Sequence, residues 1–284
     1  MAARSSTALR LAYFGRAGSF SHLAALRRFP KASLSECPTV EEAFARLQVG
    51  EFSHILVPIE NASSGIITNT ADQLMRLAKS DAGAVLKIRE ALAMRIRLAL
   101  VARPDHAKII RKIYSHRAPF DHSRDWLQKH YPQAEQIIVE STSEAAWMAT
   151  KEKDGAAIAG EQTIAETGLK ILNKHVGSEV ANQTTFIVVG APLIRSSKPT
   201  HTSLVFELPH TAGSLVAVLQ VLSRRKLNLT KILSRPIPGR FEEYRFMIEF
   251  HGSIPTPLVI QALAQLEKIT TFLAVIGNYP VRRV

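Results

Sequence analysis

Ile55–Gly65 reads ILVPIENASSG, and the reading of this stretch decides the fold. Apolar residues interrupted at Pro58 carry a strand toward its end. Glu60, Asn61, Ser63 and Ser64 then arrive together, and Gly65 and the run to Met75 open a helix. Open α/β sheets place ligand sites at the C-terminal ends of strands. The helix that follows offers free backbone N–H groups to an anion. A turn with an ordinary helix cap accounts for the same residues, and the rest of the chain decides between the two.

Upstream, Leu11–Phe14 predicts a short buried strand running into GRAGSFS, Gly15–Ser21, and then a helix through Ala24, Leu26 and Phe29. Strand, glycine-containing turn and helix make a cradle for a phosphate or carboxylate. Ser19 and Ser21 can cap that helix or touch a ligand. The loop has neither the Gly-Lys-Ser/Thr ending of a Walker loop nor the spacing of a dinucleotide fingerprint, so alone it signals little. Ser33–Glu36 predicts a strand, and Thr39 with Glu42 three residues on predicts a capping box for a helix to Leu47. Downstream, Val85–Glu90 and Met94–Val101 read as two further strands. Ser115 and His116 end another, and Ser141 and Thr142 precede Glu144 where a strand gives way to a helix. Thr185–Val189 is a β-branched and aromatic run.

This alternation predicts an α/β domain of mostly parallel sheets with covering helices, residues 11–190. It divides into two lobes, about 11–90 with 175–190 and about 95–170. The polar strand ends at 15–21, 60–65, 115–117 and 141–144 would converge on the cleft between them. Residues 1–10 read as a tail. A Pro-, Ser- and Lys-rich segment, 191–200, reads as a linker. From 201 to 280 the order is βαββαβ, a ferredoxin-like domain of a kind that binds many ligands or pairs with its own copies.

The chain has 284 residues, enough for two or three compact units. Cys37 is the only cysteine, which rules out an intrachain disulfide and fits a reducing, cytoplasmic location. No apolar run is long enough to span a bilayer, and the N-terminus lacks an apolar signal region, so no membrane partner is expected. The formal charge of +12 is spread along the whole length. Without aromatic interleaving, zinc-finger spacing or a helix-turn-helix, it points to small anions and not to nucleic acid.

GRAGSFSHLAA, VPIENASSG, Ser115-His116, STSEAA and NQTTFIVVG occur in order, and together they resemble the catalytic domain of prephenate dehydratase. HTSLVFELPHTAGSLVAVLQVLSRRKLNLTKILSRP, with EEYRFMIEFHG after it, resembles the regulatory ACT domain that follows in that family. The resemblance runs from about Leu11 to Pro280, with no chorismate mutase helix ahead and no dehydrogenase attached, as in the monofunctional form. It implies a two-lobed fold like that of type II periplasmic binding proteins. The implied reaction turns prephenate into phenylpyruvate, water and carbon dioxide, with no metal or organic cofactor. Arogenate is the alternative substrate, and a small-molecule sensor without catalysis is the alternative class.

Carried over residue by residue, the resemblance implies a catalytic set of Thr184, Glu60, Asn61 and Ser19. Thr184 would hydrogen-bond or protonate the departing hydroxyl, with positioning offsetting its weak acidity. Glu60 would orient its loop. Ser21, Ser63, Ser64, Ser115, His116, Ser141, Thr142, Thr185, Phe186 and Arg16 would bind substrate. Thr185 stands where the family's Thr-Arg-Phe has arginine, so Arg16 or Arg117 is expected to replace the missing charge on a substrate carboxylate. Gly213, Ser214, Leu215 and Val216 resemble the family's Gly-Ala-Leu-Val. Ser234, Arg235 and Pro236, preceded by Leu233, resemble its Glu-Ser-Arg-Pro. Both segments imply an L-phenylalanine effector bound between ACT domains, in a homodimer or homotetramer.

Overall fold

The computed structural model describes residues 9–174, 176, 182–192 and 197–284. Most of the expected tail 1–10, part of the segment 175–190 and part of the linker 191–200 lie outside the described residues. Lobe one contains β1 (Arg10–Phe14), α1 (Phe20–Arg28), β2 (Ser33–Cys37), α2 (Val40–Gln48), β3 (His54–Asn61), β4 (Gly65–Ile66), α3 (Thr68–Leu77) and β5 (Lys87–Arg95). Successive side chains on a strand face opposite ways. Leu11 and Tyr13 accordingly join one hydrophobic cluster while Ala12 joins another. Half of the expected capping box at α2 is present: Thr39 Oγ1 accepts from the Glu42 N–H at 3.1 Å, while the Glu42 carboxylate turns to Arg46.

Lobe two follows with β6 (Leu98–Ala102), β7 (Lys112–Ser115), α4 (Arg117–His130), β8 (Glu135–Ile138), α5 (Thr142–Ala149), β9 (Gly155–Gly160), α6 (Ile164–Thr167) and β10 (Lys170–Asn173). Its sheet order is β10-β6-β9-β7-β8. The chain then returns to lobe one as β11 (Gln183–Gly190), which lies between β3 and β5. Two expectations change here. Met94–Val101 is not one strand: β5 ends at Arg95, β6 begins at Leu98, and the chain changes lobe between them. Nor are the sheets mostly parallel. β1 is parallel to β2 and β3, but β11 is antiparallel to both β3 and β5, and β6 is antiparallel to β9 and β10. β1 and β3 run toward the cleft and end there, whereas β11 arrives from the other lobe and starts there.

The C-terminal domain has the expected βαββαβ order: β12 (His201–Glu207), α7 (Ser214–Arg224), β13 (Leu229–Pro236), β14 (Tyr244–His251), α8 (Pro257–Ile269) and β15 (Phe272–Tyr279). One face of its sheet packs under α7 and α8 through Leu204, Phe206, Ile248 and Phe250. The other face is also covered. Val205 and Met247, with Leu233 beside them, enter the lobe-one core alongside Leu74, Ile88 and Ile187. The two sheets are continuous, because β15 pairs with β5 at Gly277 and Ile88. A Cβ at Gly277 would stand 2.7 Å from that of Ile88, so this approach requires glycine. A last strand, β16 (Val281–Arg283), pairs with β5 beyond the expected domain end at 280.

Candidate functional site

A cavity of about 620 Å³ lies between the lobes. It is lined by Gly15, Arg16 and Ser19–Ser21 before and in α1, by Pro38–Glu41 at α2, and by Ile67 and Asn69 at α3. His116, Ala118 and Pro119 at α4 and Glu140–Glu144 at α5 line its other side. Five helices therefore present their N-terminal ends to one space. The unpaired N–H groups of a helix N-terminus attract anions, and α1, α3 and α4 carry no acidic residue in their first turns. Arg16 is the only Lys or Arg among the described lining residues.

Asn61 is the hub of the cavity floor. Its Nδ2 donates to Thr184 Oγ1 and to Asn182 Oδ1, both at 2.9 Å. Its Oδ1 accepts from the backbone N–H of Ser63 at 2.9 Å and of Ser64 at 3.2 Å. The loop after β3 thus holds the amide, and the amide holds the hydroxyl at the start of β11. Since Thr184 Oγ1 accepts from Asn61, its own proton is left to donate, and no acceptor for it occurs among the described residues. Thr184 is 9% exposed and lines the cavity with Phe186.

His116 caps α4 by accepting the Ala118 N–H on Nδ1 at 3.3 Å. That bond leaves the proton of a neutral imidazole on Nε2. Burial pushes its pKa below the usual histidine value, against the opposing charge of Glu140. His116 is therefore a neutral donor at pH 7. Ser141 Oγ caps α5 by accepting from the Glu144 N–H at 3.1 Å, and the Glu144 carboxylate accepts from the Glu140 N–H.

Of the residues expected at the site, Ser19, Ser21, Asn61, Ser64, His116, Ser141, Thr142, Thr184, Phe186 and Arg16 line this cavity. Five others do not. Glu60 points to the opposite face of β3, where its carboxylate meets Lys231 at 3.2 Å. Thr185 is paired in register with Glu60 and shares that far face, while Thr184 is paired with Asn61. A side chain at position 185 therefore faces away from the cleft, so the cleft has lost no charge there. Ser63 contributes only its backbone N–H, to Asn61. Ser115 is fully buried and donates to Ile158 O at 2.8 Å. Arg117 is 76% exposed and faces Asp121, which removes it as a replacement cation. Asn182, Asn69 and Glu41 line the cavity although the motif reading did not single them out. Asn182 opens the NQTTF segment, where an amide gives no local signal beside the threonine hydroxyls.

The effector candidates divide too. Ser214 and Leu215 line a second cavity of about 320 Å³ with His210, Thr211, Glu242 and Tyr244. Gly213, at φ +86°, starts α7. Val216, Ser234 and Pro236 are exposed outside this cavity. Arg235 faces the other way and forks onto Asp72 of α3 at 2.7 and 2.8 Å.

Residues 11–193 match the prephenate dehydratase family, and residues 202–268 match the ACT domain family. The bifunctional chorismate mutase/prephenate dehydratase of Aquifex aeolicus is 30% identical over 273 residues, spanning 96% of this chain and 74% of that protein. The crystal structure of prephenate dehydratase from Arthrobacter aurescens in complex with L-Phe superposes with a TM-score of 0.83. It is 28% identical and covers 96% of this chain and 90% of its own. The structure of GqqA, described as a novel type of quorum quenching acylase, shares the fold at a TM-score of 0.81. Its identity is 22%, with coverage of 95% and 97%. Fold and site together define a two-lobed α/β enzyme whose cleft is ringed by helix N-termini, joined to a βαββαβ ACT domain. No helix among the described residues is long and apolar enough to cross a membrane. The chain belongs to the prephenate dehydratase family, with an ACT domain following the catalytic one.

Proposed function

We propose that this chain converts prephenate to phenylpyruvate, water and carbon dioxide. The observation that carries the reading is the Asn61–Thr184 pair, which aims a hydroxyl proton into a cleft ringed by helix N-termini. The substrate's two carboxylates suit those N-termini and Arg16. As the ring carboxylate leaves as carbon dioxide, the electron pair of the broken C–C bond enters the ring. The opposite C–O bond breaks, and the departing oxygen takes a proton to become water. Thr184 donates to that oxygen, and bulk water restores its proton. Charge builds on the oxygen only in the transition state, so a donor fixed there beforehand lowers the barrier without tightening the ground state.

A second reading, arogenate, is favoured by one feature: Glu41, Glu140 and Glu144 line the same cavity, and carboxylates suit an ammonium group. Incubating the pure protein with each substrate separates the two. Phenylpyruvate from prephenate is expected, phenylalanine from arogenate would favour the alternative, and product from neither would leave a binding module. Arg16→Ala is expected to raise KM for the dicarboxylate by about tenfold with kcat little changed. An unchanged KM would take Arg16 out of the site. The reading includes a cytoplasmic homodimer or homotetramer, with L-phenylalanine acting on the ACT domain. Light scattering and repetition of the assay with added L-phenylalanine test those two parts.

A further inference from the structure

The end of β3 is gripped from both faces. On the cleft face, Asn61 sets Thr184. One residue earlier, on the other face, the Glu60 carboxylate meets Nζ of Lys231, which belongs to β13 of the ACT domain. Lys231 is itself anchored, 2.6 Å from Glu249 Oε1. The other oxygen of Glu249 accepts from the Tyr279 hydroxyl at 2.6 Å. Burial works against the charge of Lys231, but Glu249 and Glu60 outweigh it and keep its pKa above the usual lysine value. Burial likewise opposes the Glu249 carboxylate, and Lys231 holds it ionised below its usual range. Lys231, 12% exposed, is thus a permanent cation fixed in its own domain and presented to Glu60.

This ion pair lies where the strand is irregular. Between β3 and β11 the register slips: Thr185 faces Glu60 but Phe186 faces Pro58, leaving Ile59 without a register partner on β11. A bulge of this kind re-aims the side chains next to it, and Glu60 and Asn61, paired with β4 and β11 just beyond it, are the residues whose aim it sets. Lys231 is also not alone on its face of β13. Two residues on, Leu233 packs on the lobe-one core, and two further on, Arg235 grips Asp72 of α3. Helix α3 supplies Asn69 to the cavity.

We propose that Lys231 is a positioning residue for the reaction, acting through Glu60 to hold the end of β3 so that Asn61 presents the Thr184 hydroxyl to the substrate. A displacement of β13 is then felt at Thr184 across the thickness of one strand. The inference rests on the reading of Thr184 under the proposed function.

Lys231→Met keeps most of the stem and removes the charge, Lys231→Arg restores it, and Lys79→Met is the control. Lys79 pairs with Glu207 across the same domain boundary at 2.8 Å but away from the cleft. Lys231→Met is expected to lower kcat about tenfold with KM within about twofold, because misplacement costs transition-state contacts. Lys231→Arg should recover most of the loss, and Lys79→Met should leave both constants unchanged. Adding Glu60→Gln to Lys231→Met should cost nothing further, since the two act as one unit. A lower melting temperature with kcat intact would overturn the proposal, as would an equal loss of kcat in Lys79→Met. The Asn61 side-chain amide signals in a 15N–1H spectrum give a readout that needs no turnover. They should move in Lys231→Met and stay in Lys79→Met. If the wild type turned over neither substrate, the dehydratase reading would fail, while unmoved Asn61 signals would overturn the positioning role whatever the substrate.

Discussion

Thr184→Val is expected to abolish nearly all turnover, lowering kcat by about 10²- to 10⁴-fold, the range usual for a positioned proton donor. Valine keeps the β-branched shape that suits the start of β11 and fills nearly the same space, so the fold is expected to persist. The substitution removes both halves of the interaction. The substrate's departing oxygen loses its donor, and the Asn61 amide loses the acceptor it holds at 2.9 Å. Asn61 keeps its bond to Asn182, which limits the structural damage. KM should stay within a few-fold, since the helix N-termini and Arg16, the proposed carboxylate contacts, are untouched. Steady-state kinetics on prephenate check this, with the melting temperature of the variant as the folding control. Retention of a tenth or more of wild-type kcat would assign the proton donation to another group, of which neutral His116 is the first to test.

The largest effect on stability is expected at Glu90. Its side chain is buried in β5 between two arginines. Arg28 of α1 donates from Nε to Oε2 at 2.6 Å and from Nη2 to Oε1 at 3.2 Å, and Arg282 of β16 meets Oε1. Removing the shared anion leaves two guanidinium groups facing each other, and breaking a buried pair from one side costs about 3–5 kcal/mol. Both arginines are partly exposed and can turn to water, so Glu90→Ala should sit near the lower end, about 3 kcal/mol. A urea midpoint measured at pH 7 checks this. The same loss should loosen β16, because Arg282 is one of the three residues that pair that strand with β5. Replacing either arginine alone should cost less, since the other still neutralises Glu90. A midpoint equal to that of the wild type would mean that the cluster's desolvation cost cancels its attraction.

Much of the site was legible because its residues announce themselves locally. Ser19, Thr39 and Ser141 are N-caps three residues ahead of the N–H they receive, and a cap that starts a helix also marks where an anion can bind. The polar run at 61–64 and the hydroxyl of Thr184 stood out through motif spacing, whereas Asn182 beside them did not. What local pattern could not tell was the face. Glu60 and Asn61 are adjacent polar residues, and so are Thr184 and Thr185, yet strand alternation sends one of each pair to the cleft and the other to the far face, where Glu60 meets the ACT domain. Ser115 looked like Ser141 at a strand end, but it is spent inside lobe two on Ile158. Arg235 sits between Ser234 and Pro236 in a motif, yet it faces the catalytic domain while they do not.

The amino-acid order by itself determined the element types, the two lobes, the βαββαβ tail and the family, since hydrophobic period, caps and motif spacing are properties of short stretches. Only the tertiary structure decided that the catalytic and regulatory sheets are one, and that Glu60 and Lys231 meet behind the cleft. Both depend on contacts between residues far apart in the chain. The β5–β15 junction brings Ile88 to Gly277, and the ion pair brings position 60 to position 231. Such pairings are set by how whole layers stack, a choice made by the shared burial of apolar faces and not by any segment's own preference.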